Sequence, residues 1–273
     1  MNKRITIKDI QAFKERGEQI VCLTAYDAIH AAWAQAAGAQ LLLVGDSMGN
    51  TVLGYENTLP VTLEQSLAAT AAVRRGAAQP LVVGDMPFLT YQLSIDEAVR
   101  NAGRYLKECG ADAVKLEGGR PMFALIRRLV DVGIPVMAHI GLLPQSLRKD
   151  GGYRLHGKEE TEAEQLVDDA RAVQEAGAFS VVLEGIPAAL AARITAELAI
   201  PTIGIAAGPH CDGQIQVITD VLGMTDGFVP KHAMRQTNLF ETAVGALRRY
   251  AAEVKAMAAD ETPADGKPKE KTP

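Results

Sequence analysis

The sequence predicts a parallel α/β fold of the (β/α)₈-barrel type. Three observations lead there. An amphipathic helix, a glycine, a short apolar run and a closing acid or glycine recur along the chain. The apolar runs lack polar alternation, which suits parallel strands buried on both faces. Helix starts carry capping signatures, and strands alternating with helices indicate a parallel sheet. The rival is a doubly wound sheet, which usually opens on a glycine-rich nucleotide loop after its first strand. Here the first strand runs into TAYDAIHAAW, with no such loop.

Taken in order, VCLTAY (21–26) is the first candidate strand, and the runs ending at Asp46 and Asp85 are the next two. AVKLEG carries Glu117, VMAHIG carries His139, SVVLEG carries Glu184, and PTIGIAAG follows as the seventh. GFVPK (227–231) completes the eight. Gly38, Gly76, Gly110, Gly133 and Gly177 sit where a helix C-terminus calls for positive φ. Capping boxes or near variants are read at Thr6/Asp9, Thr62/Gln65, Ser94/Glu97 and Thr161/Glu164. Two loops exceed what connection needs, 45–60 and 141–160, and long loops after barrel strands belong to the active-site face. The barrel is expected over residues 1–258. The charged, Pro-rich end, 259–273, is expected to be disordered.

The chain has 273 residues, and a single barrel typically takes about 250. Hydrophobic residues make up 48%, enough for a full core, and the net charge is −5 without a basic stripe, which sets nucleic acid aside. The N-terminal segment lacks an apolar leader core and reads as mature protein. No apolar run approaches a membrane span. Cys22, Cys109 and Cys211 show no paired spacing, so neither a zinc site nor a disulfide framework is expected. Together these point to a reducing cytoplasm.

A barrel brings the C-terminal ends of its strands to one mouth, which gathers Asp46, Asp85, Glu117, His139 and Glu184 around one cavity. Four carboxylates in a low-dielectric mouth repel one another and resist ionisation, so either some are protonated or a cation neutralises them. A hard divalent ion such as Mg²⁺ takes one or two carboxylates and leaves positions for water and substrate. Asp46 and Asp85 share an apolar-Val-Gly-Asp pattern, whose glycine is read as admitting a ligand close to the backbone. They are the candidate metal pair. Helix capping is the structural alternative for any one acid. Lys115 and Glu117 lie on one face of their strand, Val114 and Leu116 on the other. They are either a structural ion pair, or a cation for a substrate carboxylate beside an acid that supports the metal or its waters. His139 reads equally as a hydrogen-bonded core residue. Asp27 could N-cap the helix at Ala28, and the glycines of GIAAGPHCDGQ (204–214) fit an anion cradle or ordinary turns. No Walker loop and no nucleophile elbow occurs.

GDSMGNTVLGYENTLPVTLE, PLVVGDMPFLTY, AVKLEGG, HIGLLPQS and CDGQIQVITDVLGM, in this order, resemble the ketopantoate hydroxymethyltransferase family from about residue 3 to residue 250. The resemblance implies a TIM barrel of the phosphoenolpyruvate-mutase type, assembled as a homodecamer. It implies transfer of a hydroxymethyl group from 5,10-methylenetetrahydrofolate to 3-methyl-2-oxobutanoate, giving 2-dehydropantoate. Position by position, Asp46 and Asp85 match the metal aspartates and Glu117 the third acid of the metal site. Ser47 and Lys115 match residues that hold the oxo acid, and Glu184 matches the base. Asp46 and Asp85 therefore belong to the substrate-binding set as well, through the cation. Ala206 stands where the family pattern has glycine, and Asn50 and Leu143 stand where Met and Thr are expected. A paralogue with shifted substrate preference would fit those departures.

On this reading Mg²⁺ stabilises the enolate formed when Glu184 removes the C3 proton, and losing the metal aspartates should hurt more than losing Glu184. Two alternatives stand beside it. One is a metal-dependent lyase or mutase of the same barrel superfamily, acting on another 2-oxo acid. The other is a non-catalytic binding protein.

Overall fold

The computed structural model describes residues 3–152, 154–227 and 229–260. Eight parallel strands close into a barrel in sequence order: β1 (Ile20–Thr24), β2 (Leu41–Val44), β3 (Leu81–Asp85), β4 (Ala113–Glu117), β5 (Val136–Gly141), β6 (Ser180–Glu184), β7 (Thr202–Ile205) and β8 (Gly213–Gln216). β1 pairs with β8 to complete the ring. Seven of the strands lie where the apolar runs place them.

The eighth does not. The sequence reading puts it at 227–231, where the described residues form a bend and irregular backbone and Phe228 lies outside the described residues. The actual β8 is GQIQ, inside the glycine-rich segment read as an anion cradle or turns. Its polar alternation hides it from a search for apolar runs. Gly213 is needed there because a Cβ would lie 2.5 Å from the Ile20 carbonyl oxygen of the neighbouring strand.

Alternation along the strands sorts side chains into two cores. Cys22, Leu41, Leu43, Leu81, Val83, Ala113, Met137, Val182, Ile203 and Ile215 fill the barrel interior. Ile10 of the helix Ile7–Glu15 joins this cluster together with Ile20 and Leu41, so the first helix stoppers the end where the strands begin. The outward set, including Val114, Leu116, Val136, Ala138, Val181 and Leu183, packs beneath the surrounding helices.

The helix starts follow local chemistry. Thr6 with Asp9 and Thr62 with Gln65 form full capping boxes, while Ser94 caps without the reciprocal bond. Thr161 does not cap. Its helix, Glu160–Glu175, is entered two residues earlier, at Glu159, so Thr161 lies inside the first turn, and Glu164 pairs with Arg193 instead. Asp27 caps the helix Ala28–Ala36, accepting from the His30 N–H at 2.8 Å. Gly38, Gly110, Gly133 and Gly177 have positive φ as expected. Gly76 does not; it ends the helix Leu63–Gly76 at a point where a Cβ would lie 2.3 Å from the Ala28 carbonyl oxygen. Close helix packing, not a turn, calls for that glycine.

The chain divides into two compact units, one up to Ile218, holding all eight strands, and one from Thr219. The second contains the long helix Leu239–Asp260. The boundary expected at 258 came from apolar content; this one follows packing. Of the expected disordered tail, residues 261–273 lie outside the described residues.

Candidate active site

The inward parity that fills the interior with Leu81, Val83, Ala113, Met137 and Val182 carries on to the strand ends. It aims Asp85, Lys115, Glu117, His139 and Glu184 into the mouth. Register then sets them side by side: Asp85 pairs with Lys115, Glu117 with His139, and Gly141 with Glu184. Asp46 and Ser47 follow β2 directly. All seven line a cavity of about 100 Å³, whose other wall is apolar, with Leu43, Val182, Ile205 and Ile215. The sequence-derived residues are thus brought together without exception. Asp46, Asp85, Lys115, Glu117 and His139 are each at most 5% exposed.

Their contacts refine the expected pairings. Lys115 Nζ lies 2.8 Å from Asp85 Oδ1 and 3.8 Å from Glu117 Oε1, so its closer partner is the aspartate on the next strand. Asp85 Oδ2 accepts from the Asp46 backbone N–H at 3.1 Å. His139 stands between two glutamates, with Nδ1 3.6 Å from Glu117 Oε1 and Nε2 3.2 Å from Glu184 Oε2. Ser47 Oγ shares a hydrogen bond of 2.9 Å with the Tyr26 hydroxyl.

The two Val-Gly-Asp glycines turn out to serve packing. A Cβ on Gly84 would lie 2.2 Å from Cδ1 of Tyr105, a fully buried ring on the helix Ile95–Cys109. A Cβ on Gly45 would meet Ser47 Oγ at 2.8 Å. The first makes room for a helix, and the second lets the serine side chain fold back over the strand end.

Electrostatics follow from burial. Desolvation, then repulsion from Asp85 and Glu117, raises the Asp46 carboxyl well above its ordinary value. Burial and Lys115 both work to lower the His139 pKa, yet Glu117 and Glu184 outweigh them and hold it up at about 9. Burial also opposes the Lys115 charge, and Asp85, Glu117 and Asp46 overcome it, raising its pKa further. With every group ionised, Asp46, Asp85, Glu117 and Glu184 contribute −4 and Lys115 and protonated His139 contribute +2, leaving −2 in a buried mouth.

One divalent cation balances that residue of charge. The donor set is all oxygen, the chemistry a hard ion selects. Glu117 Oε1 is moreover a buried carboxylate oxygen with no hydrogen bond. The fit is to an open site. Among the described residues, no group of three His, Cys, Asp or Glu side chains is gathered as a ready ligand cage. Two carboxylates with water and substrate completing the shell is what the mouth offers.

Sequence reading missed two residues here. Gln145 and Tyr91, from the loops after β5 and β3, are both buried against the acids. Gln145 Nε2 donates to Asp46 Oδ2 at 2.9 Å, and the Tyr91 hydroxyl donates to Gln145 Oε1 at 2.7 Å. Neither ends an apolar run or belongs to a titratable cluster; Tyr91 closes the motif PLVVGDMPFLTY and Gln145 lies in HIGLLPQS, but nothing in either motif alone assigns them a role.

A family model for ketopantoate hydroxymethyltransferase matches residues 4–259. The chain belongs to the ketopantoate hydroxymethyltransferase family. Relatives named 3-methyl-2-oxobutanoate hydroxymethyltransferase include that of Syntrophus aciditrophicus, 51% identical over 93% of both chains. That of Geobacter sulfurreducens is 53% identical over 93% of this chain and 96% of its own length. Hydroxymethyl transfer to 3-methyl-2-oxobutanoate, giving ketopantoate, is the activity of a ketopantoate hydroxymethyltransferase. Solved structures agree on the fold. Phosphonopyruvate hydrolase, in a complex with oxalate and Mg²⁺, has a TM-score of 0.62 at 13% identity, over 96% of this chain and 91% of its own. A 2,3-dimethylmalate lyase of the phosphoenolpyruvate mutase/isocitrate lyase superfamily has a TM-score of 0.60 at 21% identity, over 98% and 91%. The lyase or mutase alternative thus finds support at the level of the barrel alone, whereas the transferase reading extends through the whole sequence.

Proposed function

We propose that the mouth performs this transfer with Asp46 and Asp85 holding Mg²⁺, Glu117 supporting it or its waters, and 5,10-methylenetetrahydrofolate as the one-carbon donor. The observation that carries the reading is the convergence of Asp46, Asp85, Glu117 and Glu184 on one cavity, with only Lys115 and His139 among its lining residues to offset four acids. A cation bound there supplies Lewis-acid polarisation of the substrate's keto group.

The remaining work falls to side chains. Lys115 and Ser47 orient the carboxylate of the oxo acid, and the apolar wall of Leu43, Val182, Ile205 and Ile215 suits its branched alkyl end. Glu184 lies across the mouth from the aspartates and takes the C3 proton, which breaks the C3–H bond and leaves its electron pair on the substrate. His139 Nε2, at 3.2 Å, keeps that carboxylate aimed. The donor's methylene carbon becomes the new hydroxymethyl carbon. Its two bonds to folate nitrogen give way to one bond to C3 and one to a water oxygen, and the two nitrogens take up the proton lost from C3 and one proton of that water. Positioned base catalysis of this kind contributes about 10²- to 10⁴-fold.

The test needs no folate. Incubated with Mg²⁺ and 3-methyl-2-oxobutanoate in D₂O, the enzyme should exchange the C3 proton, read by NMR. Glu184→Gln should abolish the exchange, and so should EDTA. Exchange that persists in the variant removes Glu184 as base, and exchange indifferent to EDTA removes the cation.

Assembly as a homodecamer in the cytoplasm belongs to the same proposal. Leu247, Tyr250, Val254 and Met257 recur at spacings of three and four along the helix Leu239–Asp260 and are all exposed, a face suited to a second copy. The three cysteines are free and buried, in keeping with a reducing compartment. Among the described residues no helix is long and apolar enough to cross a membrane. Light scattering measures the assembly directly.

A further inference from the structure

We propose that Gln145 is a positioning residue for the proposed metal carboxylates, a role that rests on the cation reading of the mouth. It reaches three strand ends from the loop after β5. Its Nε2 donates to Asp46 Oδ2 at 2.9 Å, beyond β2, and to the Met86 carbonyl at 3.0 Å, beyond β3. Its backbone N–H donates to Glu117 Oε2 at 3.0 Å, at the end of β4. Its Oε1 accepts from Tyr91 Oη at 2.7 Å and from Gln92 Nε2 at 3.3 Å. Every donor and acceptor of the amide is used.

These partners fix which way the amide faces. A backbone carbonyl only accepts, so the nitrogen must point at Met86 and Asp46. The Tyr91 hydroxyl already accepts from the Glu117 backbone N–H at 3.1 Å, so its proton is left for Oε1. The site needs a neutral group with two donors on one atom and an acceptor on the other. A glutamate would set a second carboxylate against Asp46, and a methionine would orphan the Met86 carbonyl and the Tyr91 hydroxyl.

The consequence is preorganisation. Gln145 engages one oxygen of Asp46 and one of Glu117, which holds both carboxylate planes and leaves Glu117 Oε1 buried without a hydrogen bond. Partners that orient a metal's ligands typically set about 10- to 100-fold of its affinity.

Gln145→Met keeps the volume and removes the side-chain hydrogen bonds, to Asp46, Met86, Tyr91 and Gln92, while the backbone N–H still reaches Glu117. Mg²⁺ titrated calorimetrically into this variant, without oxo acid, should bind about 10- to 100-fold more weakly than to the wild type. Its C3 exchange in D₂O should recover as Mg²⁺ is raised, a rescue that a merely structural role would not produce. Tyr91→Phe removes only the group that orients the amide, so it should weaken Mg²⁺ in the same direction by less; it decides alone if Gln145→Met does not fold. Folded variants that bind Mg²⁺ as the wild type does overturn the assignment of Gln145. A wild type that binds no Mg²⁺ overturns the cation reading itself, and the two failures are told apart by the wild-type titration.

Discussion

Ala206 stands where the family resemblance leads one to expect glycine, and its backbone shows what an alanine costs there. It has φ of +51°, one of two non-glycine residues with positive φ among those described. It directly follows Ile205, which lines the cavity. An L-residue in that region is disfavoured by about 1–2 kcal/mol, and the freedom glycine gains when unfolded returns roughly 0.4–1 of it. Ala206→Gly should therefore stabilise the protein by about 0.5–1 kcal/mol, a rise in melting temperature of about 1–4 °C for a chain of this size. Scanning calorimetry checks it, and an unchanged or lower transition would show that the αL conformation is unstrained there. The other two departures lie differently. Asn50 is exposed in the short helix Met48–Thr51, and Leu143 immediately precedes Pro144 of the cavity wall. Of the three, Leu143 and Ala206 adjoin residues that line the cavity.

At the scale of elements, strand β3 and the helix Ile95–Cys109 are interlocked through Gly84. The Tyr105 ring occupies the space a Cβ would need, and its hydroxyl lies 2.8 Å from both the Asp85 carbonyl and Ser66 Oγ. Gly84→Ala therefore pushes on the strand end that carries Asp85. Overpacking of this kind costs about 1–3 kcal/mol, so the melting temperature should drop by several degrees and kcat/KM should fall as Asp85 moves. Gly103→Ala, on the same helix with nothing within 4 Å of the added methyl, is the control and should be neutral or stabilising by up to about 1 kcal/mol. Equal losses in both would mean the contact with Tyr105 is not what the glycine protects. Gly84 also marks a limit of sequence reading. Its position before Asp85 suggested a ligand's approach, while the actual neighbour is Tyr105, on a helix that starts only at Ile95, invisible without packing. The acids themselves were legible because each ends an apolar run whose parity is set locally. Seven strands were legible for the same reason. β8 was not, because Gln214 and Gln216 break the apolar signature, and Gln145 was not, because its meaning lies in partners on β2, β3 and β4.

For the whole molecule, the charge gathered in the mouth makes stability depend on pH and on cation together. His139 is held at about 9 against an ordinary 6.5, so the folded protein binds its proton more tightly than the unfolded chain does. That contribution is fully present below pH 6.5 and is lost as pH rises through 9. Asp46 has the same sign: its raised carboxyl pKa means that ionising it, as pH climbs above 3.8, costs the folded state. In EDTA the melting temperature should therefore fall as pH rises from about 6.5 to 9. A divalent cation reverses the trend, because it binds the ionised carboxylate and must displace a proton at low pH. Added Mg²⁺ should raise the melting temperature more at pH 9 than at pH 6, the increment growing with concentration as expected for a ligand of the folded state. Asp46→Asn and Asp85→Asn should each erase most of that increment while leaving the protein folded in EDTA. Melting curves across this pH range, with and without Mg²⁺, decide the matter: an increment that does not depend on pH, or that survives in both aspartate variants, would mean that the cation binds somewhere other than this mouth.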